Sequence, residues 1–123
     1  MSEEATSSFF NKTKNEGQQT VVIASYPRSG DELLRAYLEK ILGVATGSDG
    51  DLKDNLNEIK QTATNGFVGE GIVDHRVSIV STHFPERMNP LKEFAAHRAI
   101  LVVRNPIESI TQYFYMLETE SFD

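Results

Sequence analysis

The sequence contains no cysteine among its 123 residues. Without thiols the chain can form neither a disulfide nor a thiolate metal site, and it has no cysteine nucleophile. The absence of cysteine suits a reducing compartment, and we expect a cytoplasmic protein. The chain also lacks an apolar run near the roughly 20 residues that a membrane-spanning helix needs, so we expect no membrane span.

Positive charge is scarce as well, with 12 Lys and Arg against 18 Asp and Glu and a net charge of -6. Proteins that bind nucleic acid usually present a basic face, so a nucleic-acid partner is not expected. Glu3 and Glu4 stand where a signal peptide would carry lysine or arginine. The length predicts one domain at most. We expect a mobile polar tail over residues 1–19 and a partial α/β domain over residues 20–123.

Three nearly continuous apolar runs predict parallel strands buried on both faces, at residues 20–25, 77–82 and 99–104. Helical spacing predicts helices over residues 31–42, 51–64 and 90–96, and a last helix that opens at Asn105 and Pro106. Gly43 is suited to end the first helix, and residues 66–73 are a predicted glycine-rich loop. Strands that alternate with helices predict a three-layer α/β fold, with about three parallel strands flanked by helices.

Polar residues follow each predicted strand directly. The first strand runs into Tyr26-Pro27-Arg28-Ser29-Gly30, and a helix begins at once. Loop N–H groups and a helix N-terminus converge there on one point, as in oxyanion sites, and a cation such as Arg28 would complete the cradle. Ligands in parallel sheets bind at the carboxyl ends of strands. The two other strand ends there read Ser81-Thr82-His83-Phe84-Pro85 and Arg104-Asn105-Pro106.

These strand ends together resemble the sulfotransferases that use 3′-phosphoadenosine 5′-phosphosulfate. That family has a loop of the type Tyr-Pro-Lys/Arg-Ser-Gly-Thr-Thr, then a strand ending Lys-Thr-His-Leu-Pro, then Arg-Asn-Pro with a serine eight residues after the arginine. Order and spacing fit over residues 20–117. The resemblance implies a P-loop NTPase-like fold, truncated to the N-terminal, donor-binding half.

The resemblance also implies roles for individual residues. His83 would be the general base that takes the proton of an acceptor hydroxyl. Arg28 would hold the 5′-phosphosulfate and stabilise the charge that grows on its bridging oxygen. The acceptor would be a hydroxyl of a small molecule or a glycan, and no metal is implied. The other donor-binding positions that match the family are Ser29, Gly30, Asp31, Glu32, Arg104 and Gln112, the last two beside the 3′-phosphate.

Several positions depart from the family pattern. Asp31 and Glu32 replace two small hydroxyl residues, Ser81 replaces a lysine, and Gln112 replaces the serine. A carboxylate about 4 Å from a phosphate oxygen costs on the order of 4 kcal/mol at an effective dielectric near 20, roughly a thousandfold in affinity. Asp31 is also expected to cap the helix and to pair with Arg28.

Two hypotheses follow. The chain is either a sulfotransferase-like enzyme or a catalytically degenerate relative that serves as a binding or interaction module. A nucleotide kinase is a third, weaker reading because no G-x-x-x-x-G-K-[ST] motif occurs. Self-association is expected from the uncovered apolar surfaces of a small sheet.

Each candidate residue also has a purely structural interpretation. His83 could be a surface or cap histidine, Arg28 a solvated turn residue, and Arg104 a partner for Glu108. We interpret the remaining unassigned basic and aromatic residues as structural, or as core and crevice wall: His75, Arg76, His97, Tyr113, Phe114 and Tyr115.

Overall fold

A computed structural model describes residues 10–11, 17–50, 67–85 and 92–119. Its elements, in chain order, are β1 (Val21–Ser25), α1 (Asp31–Leu42), β2 (Gly47–Ser48), β3 (Ile79–His83), β4 (Arg98–Val102) and α2 (Pro106–Thr119). The strands form a single sheet in the order β2-β3-β1-β4, and all neighbouring pairs are parallel. The predicted α/β class is therefore confirmed, with four strands rather than about three.

The element bounds differ from the sequence prediction mainly in the second and third predicted strands. The second begins at Ile79, two residues late, and includes His83 as its last residue. The third ends at Val102, so residues 103–105 belong to the connection to α2. Residues 92–96 are irregular, so the helix predicted over residues 90–96 is wrong for that part. The helix predicted over residues 51–64 lies outside the described residues.

Strand β2 was not predicted because it is two residues long and contains a glycine. Gly47 also bridges to Gly69, which lies in the predicted glycine-rich loop. A Cβ on Gly47 would lie 2.0 Å from the carbonyl oxygen of Ile72, and one on Gly69 would lie 2.2 Å from that of Thr46. Backbone approach this close excludes every other residue at these two positions.

The predicted helix ends are confirmed where the sequence carried capping signals. Gly43 ends α1 with a left-handed φ of 67° and donates its N–H to Glu39 O at 2.9 Å. At the start of α2, Asn105 Oδ1 accepts the N–H of Ile107 at 3.0 Å, and Pro106 is the first helical residue. These local contacts explain why both helices begin or end at the predicted residues.

The two faces of the sheet are covered differently. Strand register places Val22, Val80 and Ala99 on one face. Val80 packs there in a cluster of buried and half-buried side chains: Phe10, Ala45, Ile72, Val73, Val77 and Phe94. The opposite face carries Ile23 and Ser81. Helix α1 lies over that second face, since the Ser81 hydroxyl reaches its first residue.

The inward side of α1 mixes charged and apolar residues. Its buried residues are Asp31 and Arg35, and Arg35 is only 3% exposed. Leu34 and Leu38 are half-buried on the same side, whereas Leu33 is 62% and Ile41 75% exposed. The most deeply buried residue of this helix is therefore a charged one, and its leucines are at most half-buried.

Arg35 anchors a network that joins α1, β2 and the loop after residue 67. Its guanidinium forms an ion pair with Glu70, donates through Nε to Thr46 Oγ1 at 3.0 Å, and lies 4.2 Å from the centroid of the Phe67 ring. Glu70 accepts in turn from Ser48 Oγ at 2.7 Å. With these partners the buried charge is paired and its donors are used, as burial of an arginine requires.

The N-terminal segment makes contacts where it is described. Asn11 and Gln18 both donate side-chain N–H groups to His75 O, at 3.1 and 3.0 Å, and both reach Ser78 Oγ. The other residues of the predicted tail lie outside the described part of the chain, apart from 10, 17 and 19. These bonds attach the segment to the residues just before β3.

Contacts of the unassigned basic residues agree with a structural role. His97 donates its backbone N–H to Thr20 O at 2.8 Å, and its Nδ1 accepts the N–H of Thr20 at 3.0 Å. Arg76 pairs with Asp74 through exposed side chains at 2.8 Å. Both contacts lie at the amino ends of the strands, away from the rim where the candidate residues gather.

A large apolar surface is exposed on the β4 side of the sheet. Strand β4 is the last strand of the described sheet, and most of it is exposed rather than buried on both faces as predicted. Leu101 is 68% and Val103 77% exposed. The apolar stripe of α2 is exposed as well, at Ile107, Ile110, Phe114 and Leu117.

Removing the partner of the buried arginine should destabilise the fold. We expect Glu70→Ala to lower the free energy of unfolding by about 3 kcal/mol, because Arg35 would remain buried without its counter-charge. Asp74→Ala is the matched control, since its pair with Arg76 is half-exposed and is worth about 1 kcal/mol or less. Urea unfolding of both variants measures the difference. Equal midpoints would contradict the importance assigned to the buried pair.

The exposed apolar surface should make the isolated chain self-associate. Sedimentation velocity between about 5 and 200 µM should show a concentration-dependent rise in average mass. Replacing Leu101 and Ile107 together with lysine should reduce it, whereas Tyr37→Lys on α1 should have less effect. A single monomer species across the whole range would refute this expectation.

Candidate functional site at the carboxyl ends of the strands

The loop at residues 26–30 leaves β1 and turns sharply into α1. Arg28 has a φ of 66°, in the left-handed region that non-glycine residues seldom adopt, and Gly30 has a φ of 105°. Arg104 Nη1 donates to Arg28 O at 3.0 Å, and Ser29 Oγ lies 3.2 Å from Ser109 Oγ. The strained backbone is thus held by residues about 80 positions away in sequence.

Helix α2 contacts the loop through residues on one of its sides. Ser109 and Tyr113 are four residues apart, both are buried, and the Tyr113 ring meets the Tyr26 ring edge-on at 5.7 Å between centroids. Gln112, which the resemblance places beside a 3′-phosphate, is half-buried and sits next to Tyr113 on this helix. Of the three aromatic residues interpreted as core and crevice wall, Tyr113 is buried, whereas Phe114 and Tyr115 are more than half exposed and do not belong to the core.

The N-terminus of α1 has no side-chain cap. Gly30 occupies the N-cap position, and within the described part of the chain no side-chain hydrogen bond caps this helix. These donors and the positive end of the helix dipole favour an anion there. A Cβ on Gly30 would meet no atom within 4 Å, so the space beside the helix start is open. The backbone therefore fits an oxyanion.

Asp31 does not cap the helix, contrary to the prediction. Its side chain is buried, and its Oδ2 accepts the Ser81 hydroxyl at 3.3 Å. Asp31 and Ser81 are two of the positions at which the chain departs from the sulfotransferase pattern, so the two departures contact each other. The carboxylate lies inside the site, where it competes with any bound anion.

Glu32 lies in the first turn of α1, where several charged side chains influence its pKa. Its pKa is raised above the ordinary value, chiefly because neighbouring protein atoms reduce its hydration and secondly by the Asp31 carboxylate. The positive charges of Arg28 and Arg35 act in the opposite direction, and Glu70 adds to the rise. Arg28 therefore acts electrostatically on the first turn of α1, but the carboxylates outweigh it.

His83 lies at the base of the loop. It is the last residue of β3, is half-buried, and is in register with Ser25 at the end of β1. Its Nδ1 is 3.3 Å from Ser25 O, and the neighbouring Phe84 N–H donates to the same oxygen at 2.9 Å. A carbonyl oxygen only accepts, so Nδ1 is the donor in this contact, and in a neutral imidazole with this tautomer Nε2 has the lone pair.

Arg104 has a different immediate role from the one the sequence suggested. Its guanidinium binds the backbone of the loop at Arg28 and contacts Glu108 Oε2 at 3.4 Å. The pairing with Glu108 weighed as a structural interpretation is therefore present, although both side chains are well exposed. Arg104 thus reaches the same rim as His83 and Arg28, and it holds the loop there.

Sequence reasoning missed two buried polar residues at the rim. Asp49 follows β2 and its Oδ2 accepts the hydroxyl of Thr82 at 2.5 Å. The turn signal Ser48-Asp49-Gly50 marks a strand end but gives no hint of this bond. Ser25, the residue before the loop, is 0% exposed, and its Oγ has no hydrogen-bond partner.

Among the described residues, no group of three or more His, Cys, Asp or Glu side chains could hold a metal ion. Neither of the two described helices is long and apolar enough to cross a membrane.

The raised pKa of Glu32 gives a pH-dependent prediction. Because the folded state binds the proton more tightly, ionised Glu32 destabilises the fold, and Glu32→Gln should raise the urea midpoint at pH 7. The gain should vanish at pH 3.5, where Glu32 is protonated. Asp74→Asn is the opposite control, since Arg76 lowers the pKa of Asp74 to about 2. It should lose stability at pH 7, and this loss should fade as the pH falls from 3.8 towards 2. If Glu32→Gln raises the urea midpoint equally at both pH values, the raised pKa of Glu32 is contradicted.

Comparison with known proteins shows a distant similarity to a curated protein. The chain matches no family model, and no solved structure matches it. It is 28% identical over 104 residues to a WSCD family member of Aedes aegypti. The match covers 85% of this chain but only 30% of that protein, so the chain spans less than a third of the relative's length.

Proposed function

We propose that this chain is the donor-binding part of a sulfotransferase-like protein. The donor substrate would be 3′-phosphoadenosine 5′-phosphosulfate, and the acceptor a hydroxyl of a small molecule or a glycan. We also propose that the protein is cytoplasmic. What supports it is the meeting of three motifs at one rim: the loop at residues 26–30, His83 after β3, and Arg104 after β4.

The observation that carries the proposal is that these motifs contact one another. His83 and the N–H of Phe84 both bond to Ser25 O, directly before the loop, and Arg104 bonds to Arg28 O within it. The bonds fall on Ser25, the last residue of β1, and on Arg28 within the loop, and they come from the segments at the ends of β3 and β4. Such convergence is expected when a loop must present backbone N–H groups in a fixed geometry.

The chemistry proposed for this site uses His83 as the base. The acceptor oxygen forms a bond to sulfur as the bond between sulfur and the bridging phosphate oxygen breaks. The acceptor proton moves to Nε2 of His83, and the electron pair of the broken bond stays on the phosphate. Arg28 and the N–H groups at the start of α1 stabilise that growing charge.

We also infer a P-loop NTPase-like architecture. Its support is the strand order, which places β1 between β3 and β4, and the tight loop that joins β1 directly to a helix. In parallel α/β sheets the crevice at such central strand ends is the usual ligand site. The P-loop kinases themselves are disfavoured by the absence of the lysine-containing motif.

A second candidate function is a non-catalytic binding or interaction module. The bond between Ser81 and the buried Asp31 favours it, because the protein's own carboxylate lies where an anion would compete for the helix N-terminus. The two functions differ in one measurable property, the affinity for the donor. Calorimetric titration with 3′-phosphoadenosine 5′-phosphate separates them: binding supports the enzyme, and no heat at millimolar ligand supports the module.

The loop carboxylates should control that affinity. We expect Asp31→Thr with Glu32→Thr to bind 3′-phosphoadenosine 5′-phosphate at least tenfold more tightly than the parent, with a larger gain at low salt. The control, Asp74→Thr with Glu118→Thr, removes the same two charges far from the loop and should change affinity little. If both double variants gain equally, net charge rather than the loop determines binding.

His83→Asn tests the base. We expect the urea midpoint to change little, because asparagine keeps an N–H donor near Ser25 O, while any sulfuryl transfer falls at least a hundredfold. His97→Asn, at the opposite edge of the sheet, is the control and should leave transfer unchanged. Unaltered transfer by His83→Asn would remove His83 from the mechanism.

A further inference from the structure

The Ser25 hydroxyl is the unexplained polar group of the site. Ser25 is 0% exposed and its Oγ has no hydrogen-bond partner, whereas its carbonyl oxygen accepts from Phe84 N. A buried hydroxyl without a partner is costly, and native proteins seldom keep one without a reason. A methyl group in its place would fill nearly the same volume without that cost.

Its position points to the inside of the loop. Ser25 is in register with His83, two residues along from the pair Ile23 and Ser81, so the Ser25 and Ser81 side chains lie on the same face. Ser81 on that face reaches Asp31, the first residue of α1. After Ser25 the chain leaves β1, forms the loop, and comes back over the face that carries the Ser25 side chain, where α1 begins.

Two independent features thus lack partners on the same face of the sheet. The start of α1 has no side-chain cap among the described residues, and the Ser25 hydroxyl, on the face that α1 covers, has no hydrogen-bond partner. Both offer hydrogen-bond donors, and a tetrahedral oxyanion offers acceptors in several directions. The outer side of the loop is already bonded to Ser109 and Arg104, which leaves its inner side for the ligand.

We propose that Ser25 is a binding residue of this site, whose hydroxyl donates to an inner oxygen of the phosphate or sulfate group held at the start of α1. This inference deepens the proposed function and rests on it. The oxyanion supplies the acceptor that the folded chain does not, and Ser25 adds a neutral donor where Asp31 and Glu32 oppose the anion. The same chemistry would recognise a free oxyanion or the 5′-phosphate of a nucleotide.

Ser25→Ala tests the proposal with two readouts of opposite sign. Without ligand, the urea midpoint should be unchanged or higher, because an unpartnered hydroxyl is removed. With ligand, the dissociation constant for 3′-phosphoadenosine 5′-phosphate should rise about tenfold, the value of one hydrogen bond to a charged group. Ser48→Ala is the matched control, because its hydroxyl is buried but bonded to Glu70. It should lower the midpoint and leave the dissociation constant unchanged.

The outcomes separate this inference from the proposed function. Equal affinity of the parent and Ser25→Ala, or a lower midpoint for Ser25→Ala without ligand, overturns the role of Ser25 alone. If the parent gives no heat at 10 mM, the comparison is repeated in the Asp31→Thr, Glu32→Thr background. Absence of binding there overturns both proposals. Titration with inorganic sulfate distinguishes the sources: a tenfold loss for sulfate too indicates a general oxyanion site, and a loss only for the nucleotide indicates a nucleotide site.

Discussion

The guanidinium of Arg35 is buried beneath α1, and a buried charge needs a counter-charge and hydrogen-bond acceptors in direct contact with it. Glu70 and Thr46 provide the match: Glu70 lies in the loop after residue 67, and Thr46, directly before β2, is also bonded to Glu39 of α1. The pairing fixes the rotation of α1 about its axis, since Asp31 stands one turn before Arg35. It therefore also fixes which first-turn side chain enters the candidate site.

The rotation of α1 has a direct consequence for the rim. Asp31 is turned inward to Ser81, and the pKa of the adjacent Glu32 is raised, chiefly because neighbouring protein atoms reduce its hydration and secondly by the Asp31 carboxylate. The loop backbone fits an anion, but the side chains that follow it oppose one. In the proposed site, the helix orientation that satisfies the buried arginine would therefore also place a carboxylate against a bound anion.

The sequence was informative where local contacts decide the structure. The bounds of α1 agree with the prediction because Gly43 supplies a left-handed cap, and α2 starts where Asn105 accepts the Ile107 N–H. The predicted strands lie within two residues of their observed bounds. The rim residues could be named in advance because the carboxyl ends of parallel strands share one edge. In contrast, β2 has no apolar run and depends on glycines that only close backbone contact requires.

By itself, the sequence determined three of the four described strands to within two residues, the two described helices with their caps, and the polar residues at the strand ends, because each depends on neighbours within about five positions. Tertiary structure alone decided that Arg35 is the most deeply buried residue of α1 while its leucines are at most half-buried, that Arg104 holds the loop backbone, and that Ser25 is left without a hydrogen-bond partner. The contacts of Arg35 and Arg104 join residues 35 and 76 positions apart in sequence. Periodicity predicts that a helix has two faces, but it does not reveal a buried charge whose counter-charge lies in a distant segment.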